Sequence, residues 1–168
     1  MTSYLEKILI FGNSGSGKST LAQQLVGSKN LAHLDLDTIA WLPTNPPLRA
    51  PLDESGHKIS TFIDSQDAWV IEGCYTNLLK LASEYCTEII FMDIATTQCI
   101  ENARNRAWEP HKYESKEAQD RNLDMLIEWI EAYASRNDSF SYQTHLNFYE
   151  NFTGNKTRYI SNTRIAPL

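Results

Sequence analysis

Apolar residues along this chain cluster in two distinct ways. Short runs rich in β-branched and aromatic residues occur at 7–11, 31–34, 69–72, 88–93 and 157–160, each bounded by Gly, Asn, Asp or Thr, and each predicts a strand. Longer amphipathic stretches predict helices from about 17 to 26 (stopped by Gly27), within 53–65, near 76–83, over 96–108 and from 116 to 135. In the 96–108 segment Cys99, Ile100, Ala103 and Ala107 recur at helical spacing and form an apolar stripe, as do Leu123, Leu126, Ile127, Ile130 and Ala134 in the next. A further amphipathic turn or two, with Tyr142, Leu146 and Tyr149 in register, precedes the last strand. Apolar strands alternating with amphipathic helices predict an α/β domain, a parallel sheet with helices on both faces. The stretch 43–51 contains Pro43, Pro46, Pro47 and Pro51 and predicts no regular element.

Directly after the first strand the chain runs Gly12-Asn13-Ser14-Gly15-Ser16-Gly17-Lys18-Ser19-Thr20 and enters a helix. This is the G-x-x-x-x-G-K-[ST] phosphate-loop pattern in its required strand-to-helix setting. Its glycines let the backbone curl with successive N–H groups turned inward, and the positive end of the following helix adds to the attraction for a polyphosphate. Lys18 is expected to reach the terminal phosphates, and Ser19 to offer its hydroxyl to Mg²⁺. The expected cofactors are ATP and Mg²⁺.

Acidic residues stand where strands end. Asp93 closes the run Ile89-Ile90-Phe91-Met92, at the sheet edge where open α/β sheets bind ligands; it reads either as a metal carboxylate or as a cap for the helix near Thr96. Asp35 and Asp37 are two apart after the second strand, so on extended chain they share a face. One would help hold Mg²⁺ and the other orient or deprotonate an acceptor hydroxyl; the other reading is a pair of turn and N-cap aspartates. Glu72-Gly73 ends the third strand, where Glu72 could hydrogen-bond a substrate and Gly73 could permit close backbone approach or simply make the turn.

Three other positions bear on an acceptor. Arg49, in the Pro-rich loop, is a candidate clamp for a substrate anion, or else a solvated loop arginine. Trp41 and Trp69 flank the same region, and Trp41 is the candidate substrate contact. Arg104 and Arg106 precede the polar stretch Glu109-Pro110-His111-Lys112-Tyr113-Glu114, a candidate lid on which arginines would neutralise the transferring phosphoryl group; alternatively Arg104 stacks on Trp108. Beyond the last strand, Ser161, Asn162, Thr163 and Arg164 either contact a base or form a frayed tail.

Composition narrows the partners. The 168 residues hold 15 Lys+Arg against 21 Asp+Glu, a net charge of −6, so no global positive field favours direct binding to nucleic acid or anionic lipid. There is no long apolar run to span a bilayer, and Glu6 and Lys7 interrupt any signal-peptide pattern, so a cytoplasmic monomer or homodimer is expected. Cys74, Cys86 and Cys99 lack Cys-x-x-Cys spacing and read as reduced packing residues; the four histidines show no zinc-ligand spacing.

With these residues placed, the chain resembles the adenylate kinase-like and shikimate kinase-like branch of P-loop kinases. It looks most like the small proteins labelled DNA topology modulation protein FlaR, through Ile10-Phe11-Gly12, His33-Leu34-Asp35 with Trp41 and Pro43, Trp69 to Tyr75, Ile89 to Asp93, and Leu126-Ile127-Glu128-Trp129-Ile130. The resemblance implies a five-stranded parallel sheet in the order 2-3-1-4-5, an acceptor-binding region near 36–68, a lid near 107–118, and ATP as phosphoryl donor to a small metabolite or nucleotide. It also implies that Asp35 and Asp37 match an Asp-x-Asp pair, one carboxylate beside Mg²⁺ and the other beside the acceptor hydroxyl. Glu72-Gly73-Cys74-Tyr75 stands where adenylate kinases carry Asp-Gly-Phe-Pro-Arg, and the shikimate kinase glycine triplet is absent, so neither substrate carries over.

Overall fold

A computed structural model describes residues 5–163; Arg164 lies outside them. In chain order the elements are β1 (Lys7–Gly12), α1 (Lys18–Lys29), β2 (Ala32–Asp35), β3 (Trp41–Leu42), β4 (Leu48–Arg49), α2 (Leu52–Ser65), β5 (Trp69–Gly73), α3 (Thr76–Ser83), β6 (Glu88–Met92), α4 (Thr96–Arg104), α5 (Lys116–Arg121), α6 (Leu123–Glu131), α7 (Tyr142–Asn151) and β7 (Asn155–Tyr159). Single 3-10 turns occupy Leu36–Thr38 and Ala132–Ala134.

Five strands pair in parallel in the order β2-β5-β1-β6-β7. Counting central-sheet strands alone this is second, third, first, fourth, fifth; the numbering is offset because β3 and β4, which the Pro-rich sequence did not predict, pair antiparallel as a separate two-residue ladder. Strand alternation divides the core. Leu9, Phe11, Ile71, Ile89 and Phe91 face one way, onto Ile59 of α2, Leu78 and Leu79 of α3 and Phe148 of α7. Ile8, Ile10, Val70, Ile90 and Met92 face the other, onto Leu21 and Ala22 of α1, Cys99 and Ala103 of α4 and Ile130 of α6.

Two helices differ from the sequence pattern. Expected to run to 108, α4 stops at Arg104, and Ala107 is exposed rather than part of the stripe; Pro110 and the polar residues before it turn the chain across the sheet edge. The expected 116–135 helix is divided at Asn122 and tightens to 3-10 at its end. That tighter winding buries Tyr133 and exposes Ala134, the reverse of the α-helical register.

Candidate active site

The phosphate loop leaves β1 at Gly12, the residue after the buried Ile8–Phe11 run, and its shape is held from outside. Gly15 and Gly17 adopt φ of 77° and 93°, and a Cβ on Gly15 would lie 2.3 Å from the Cys99 carbonyl oxygen, so this contact with α4 demands glycine. Asn102 of α4 donates from Nδ2 to the Gly15 carbonyl and to Asn162 Oδ1, both at 2.8 Å. Asn162 donates to the Ser16 carbonyl at 3.0 Å, and Asn13 Nδ2 to the Ile130 carbonyl at 3.2 Å. Side chains outside the loop thus take up carbonyls at Gly15 and Ser16. Lys18 Nζ bonds the Asn13 carbonyl at 2.7 Å.

One open cavity of about 1110 Å³ adjoins this loop. Ser14, Gly15, Gly17, Lys18, Ser19 and Thr20 line it, while Gly12, Asn13 and Ser16 lie buried behind. Asn102 and Asn162 border it too, beside the chain from Asn105 to Lys112 that follows α4.

Carboxylates border the same cavity. Asp35 ends β2 and caps the 3-10 turn, its Oδ1 accepting the Asp37 N–H at 2.9 Å. The N-cap reading is therefore correct for one oxygen, while the other faces Lys112. Asp37 sits on the turn rather than on extended chain, so the two carboxylates converge through that turn and a shared lysine, not through strand alternation. Lys112 Nζ lies 2.9 Å from Asp37 Oδ2, 3.2 Å from Asp35 Oδ2 and 3.4 Å from Glu109 Oε2. Asp37 Oδ1 accepts from the Tyr75 hydroxyl, which itself accepts from Trp41 Nε1 at 2.9 Å.

These contacts set the charges. Desolvation alone would raise the Asp37 pKa, but the Lys112 ammonium and the Tyr75 hydroxyl outweigh it and hold the carboxyl below its ordinary range. For Lys112 desolvation works toward the neutral form, and Asp37, Asp35 and Glu109 overcome it and raise the pKa. Burial first, and then the neighbouring Cys74 and Asp37, push the Tyr75 hydroxyl upward, so it remains a proton donor.

Glu72 borders the cavity beside the loop. It is 2% exposed, pairs in register with Asp35, and accepts from Ser19 Oγ at 3.0 Å through Oε1. Burial first, and then the Asp35 charge, push its pKa up to about 8. Gly73 makes room for packing: a Cβ there would sit 2.8 Å from Leu36 Cβ on the 3-10 turn.

Several expected residues stand elsewhere. Asp93 is outside the cavity and caps no helix; its carboxylate takes Arg158 Nε of β7 at 2.9 Å. Arg49 is also outside, with Nε on the Ala40 carbonyl and its guanidinium 4.8, 5.2 and 5.6 Å from the ring centres of Tyr75, Phe140 and Trp41. Trp41 braces Tyr75 and does not line the cavity. Arg104 is exposed and away from it, whereas Arg106 lines it, paired with Glu109 at 3.1 Å. Lys112, Tyr75 and Asn102 belong to no catalytic motif in the sequence; the local signal for Lys112 is its place in the polar stretch after α4.

No protein-family model matches the chain, and no curated protein matches it. Among solved structures it is similar to a gluconokinase from Sinorhizobium meliloti 1021, at 14% identity and a TM-score of 0.47, over 90% of this chain and 100% of that one.

Proposed function

We propose that this chain is an ATP- and Mg²⁺-dependent phosphotransferase that moves the γ-phosphoryl group onto a small hydroxyl- or phosphate-bearing acceptor. The observation that carries this reading is one cavity lined both by the phosphate-loop lysine and by the Asp35/Asp37 pair. The FlaR-like branch rests on the motif residues alone.

In this reading the inward N–H groups of the loop and Lys18 hold the nucleotide phosphates. The donor set fits a hard cation: Ser19 Oγ, Asp35 and Glu72 are oxygen ligands, and Glu72 Oε2 is buried without a hydrogen-bond partner. Among the described residues no three His, Cys, Asp or Glu side chains form a complete metal cage, so Mg²⁺ would complete its shell with water and phosphate oxygens, as is usual for this ion. When bound it supplies charge neutralisation to the phosphoryl oxygens. Asp37, kept anionic, orients and deprotonates the acceptor hydroxyl once Lys112 releases Oδ2. Residues 36–68 serve the acceptor, and residues 107–118, with Lys112 at their centre, act as the lid.

A second reading, a nucleotide-binding regulatory protein with little transfer, is favoured by one observation: both Asp37 oxygens are already engaged, by Tyr75 and Lys112. One experiment tests both. Lys18→Ala is expected to abolish ATP binding by calorimetry, and Asp37→Asn to retain binding while ADP formation with pooled metabolites falls; undiminished turnover in Lys18→Ala refutes the phosphotransferase. ATP binding by the unaltered chain with no phosphorylated product from a broad pool selects the regulator.

A further inference from the structure

We infer that the acceptor is a hydroxyl compound carrying no phosphate of its own; this rests on the phosphotransferase reading and narrows it. A phosphorylated acceptor brings about two negative charges near neutral pH, and proteins hold such groups with a forked arginine or another uncommitted cation. Of the Lys and Arg side chains among the described residues that border this cavity, Lys18 belongs with the phosphate loop, Arg106 is paired with Glu109, and Lys112, even after releasing Asp37, stays between Asp35 at 3.2 Å and Glu109 at 3.4 Å. Arg49, the cation that sequence places over the acceptor, lies instead among Trp41, Tyr75 and Phe140, away from the cavity.

Asp35, Asp37 and Glu109 border the cavity together with Gln23, Thr38 and His33, and the His111 ring that also borders it lies 3.8 Å from both Asp35 Oδ2 and Glu109 Oε2. Around Asp37, a phosphate would meet like charge, whereas a hydroxyl would meet an acceptor for its proton. In the transfer the acceptor oxygen forms its bond to the γ-phosphorus and its proton passes to Asp37 Oδ2. The bond from the γ-phosphorus to the bridging oxygen breaks, with its electron pair leaving on ADP.

The test incubates the full chain with Mg²⁺ and γ-labelled ATP against glycerol, glucose and ethanolamine in one arm and glucose 6-phosphate and AMP in the other, with each arm extended to further members of its class. ATP binding is measured on the same preparation. Expected is a labelled ester from a phosphate-free hydroxyl compound, with kcat/KM at least about tenfold above that of its phosphorylated counterpart. Glucose favoured over ethanolamine, or the reverse, separates a neutral polyol from an amino alcohol, and either supports the inference. Preferential labelling of AMP or a sugar phosphate overturns it while leaving the phosphotransferase intact. Labelling of neither arm also overturns it, and absence of ATP binding overturns the phosphotransferase reading itself.

Discussion

His145 offers a measurement of how the core is wired that is independent of any activity. It is fully buried on α7, edge-on to Phe11 and Phe91, with Nε2 2.8 Å from the Cys74 carbonyl and Nδ1 2.6 Å from the Tyr133 hydroxyl. A carbonyl only accepts, so Nε2 carries the hydrogen, and Nδ1 accepts from Tyr133. The neutral ring therefore satisfies both nitrogens, and a second proton would displace the Tyr133 donor in an apolar setting. Burial depresses the pKa from 6.5 to about 4. Above the unfolded value neither state is protonated and stability is complete; as pH falls, the unfolded chain binds the proton first, so stability is lost from about pH 6.5 down to about pH 4. Between about pH 7 and pH 5 the loss assigned to this one ring is about 2 kcal/mol. Urea unfolding of the unaltered chain and of His145→Gln at both pH values isolates it, since carboxylates and the other histidines are common to both. The variant is expected to be less stable at pH 7 but to lose about 2 kcal/mol less on acidification. Equal acid losses in the two proteins would show that His145 is not held neutral by this packing.

The site carries two further expectations. Tyr75→Phe removes the donor to Asp37 Oδ1, a bond to a charged group worth about 1.5–3 kcal/mol, so kcat should fall about tenfold or more while ATP affinity is unchanged; an equal loss of ATP affinity would assign Tyr75 to general structure. Asn102→Ala frees the Gly15 carbonyl and Asn162, and should weaken nucleotide binding by calorimetry about fivefold to thirtyfold, the equivalent of about 1–2 kcal/mol; unchanged affinity would mean the loop holds its own shape.

The phosphate loop and the central strands were legible because their signals are contiguous. A strand covered on both faces is an apolar run such as Ile8–Phe11, and the loop motif lies within nine consecutive residues. The acidic wall was legible as residues but not as geometry. Asp37 depends on Lys112, 75 positions away, and on Tyr75, 38 away. No local periodicity records such contacts. Arg49 shows the same limit: beside four prolines it looks like a solvent-facing clamp, and only the arrival of Phe140 from a distant loop completes the aromatic surround.

Asp93 and Glu72 show which part of the missing geometry parity supplies. Both are carboxylates at or just past the ends of the buried strands that flank β1, and in sequence Asp93 reads as a metal carboxylate and Glu72 as a substrate contact. Side chains two apart share a face of the sheet. Phe91 packs on the α3 and α7 side, so continuing β6 by two residues directs Asp93 there, toward the β7 edge where Arg158 takes it. Val70 packs on the α1 side, so Glu72 is directed toward the helix that the phosphate loop begins, and meets Ser19 in its first turn. Asp35 falls in register with Glu72 on the neighbouring strand, and Leu34 packs with the opposite face, so Asp35 shares the α1 side. The face that carries the loop helix thus selects which strand-end carboxylates can serve a phosphate, and that selection follows from counting in twos along β2, β5 and β6 once the side of α1 is fixed.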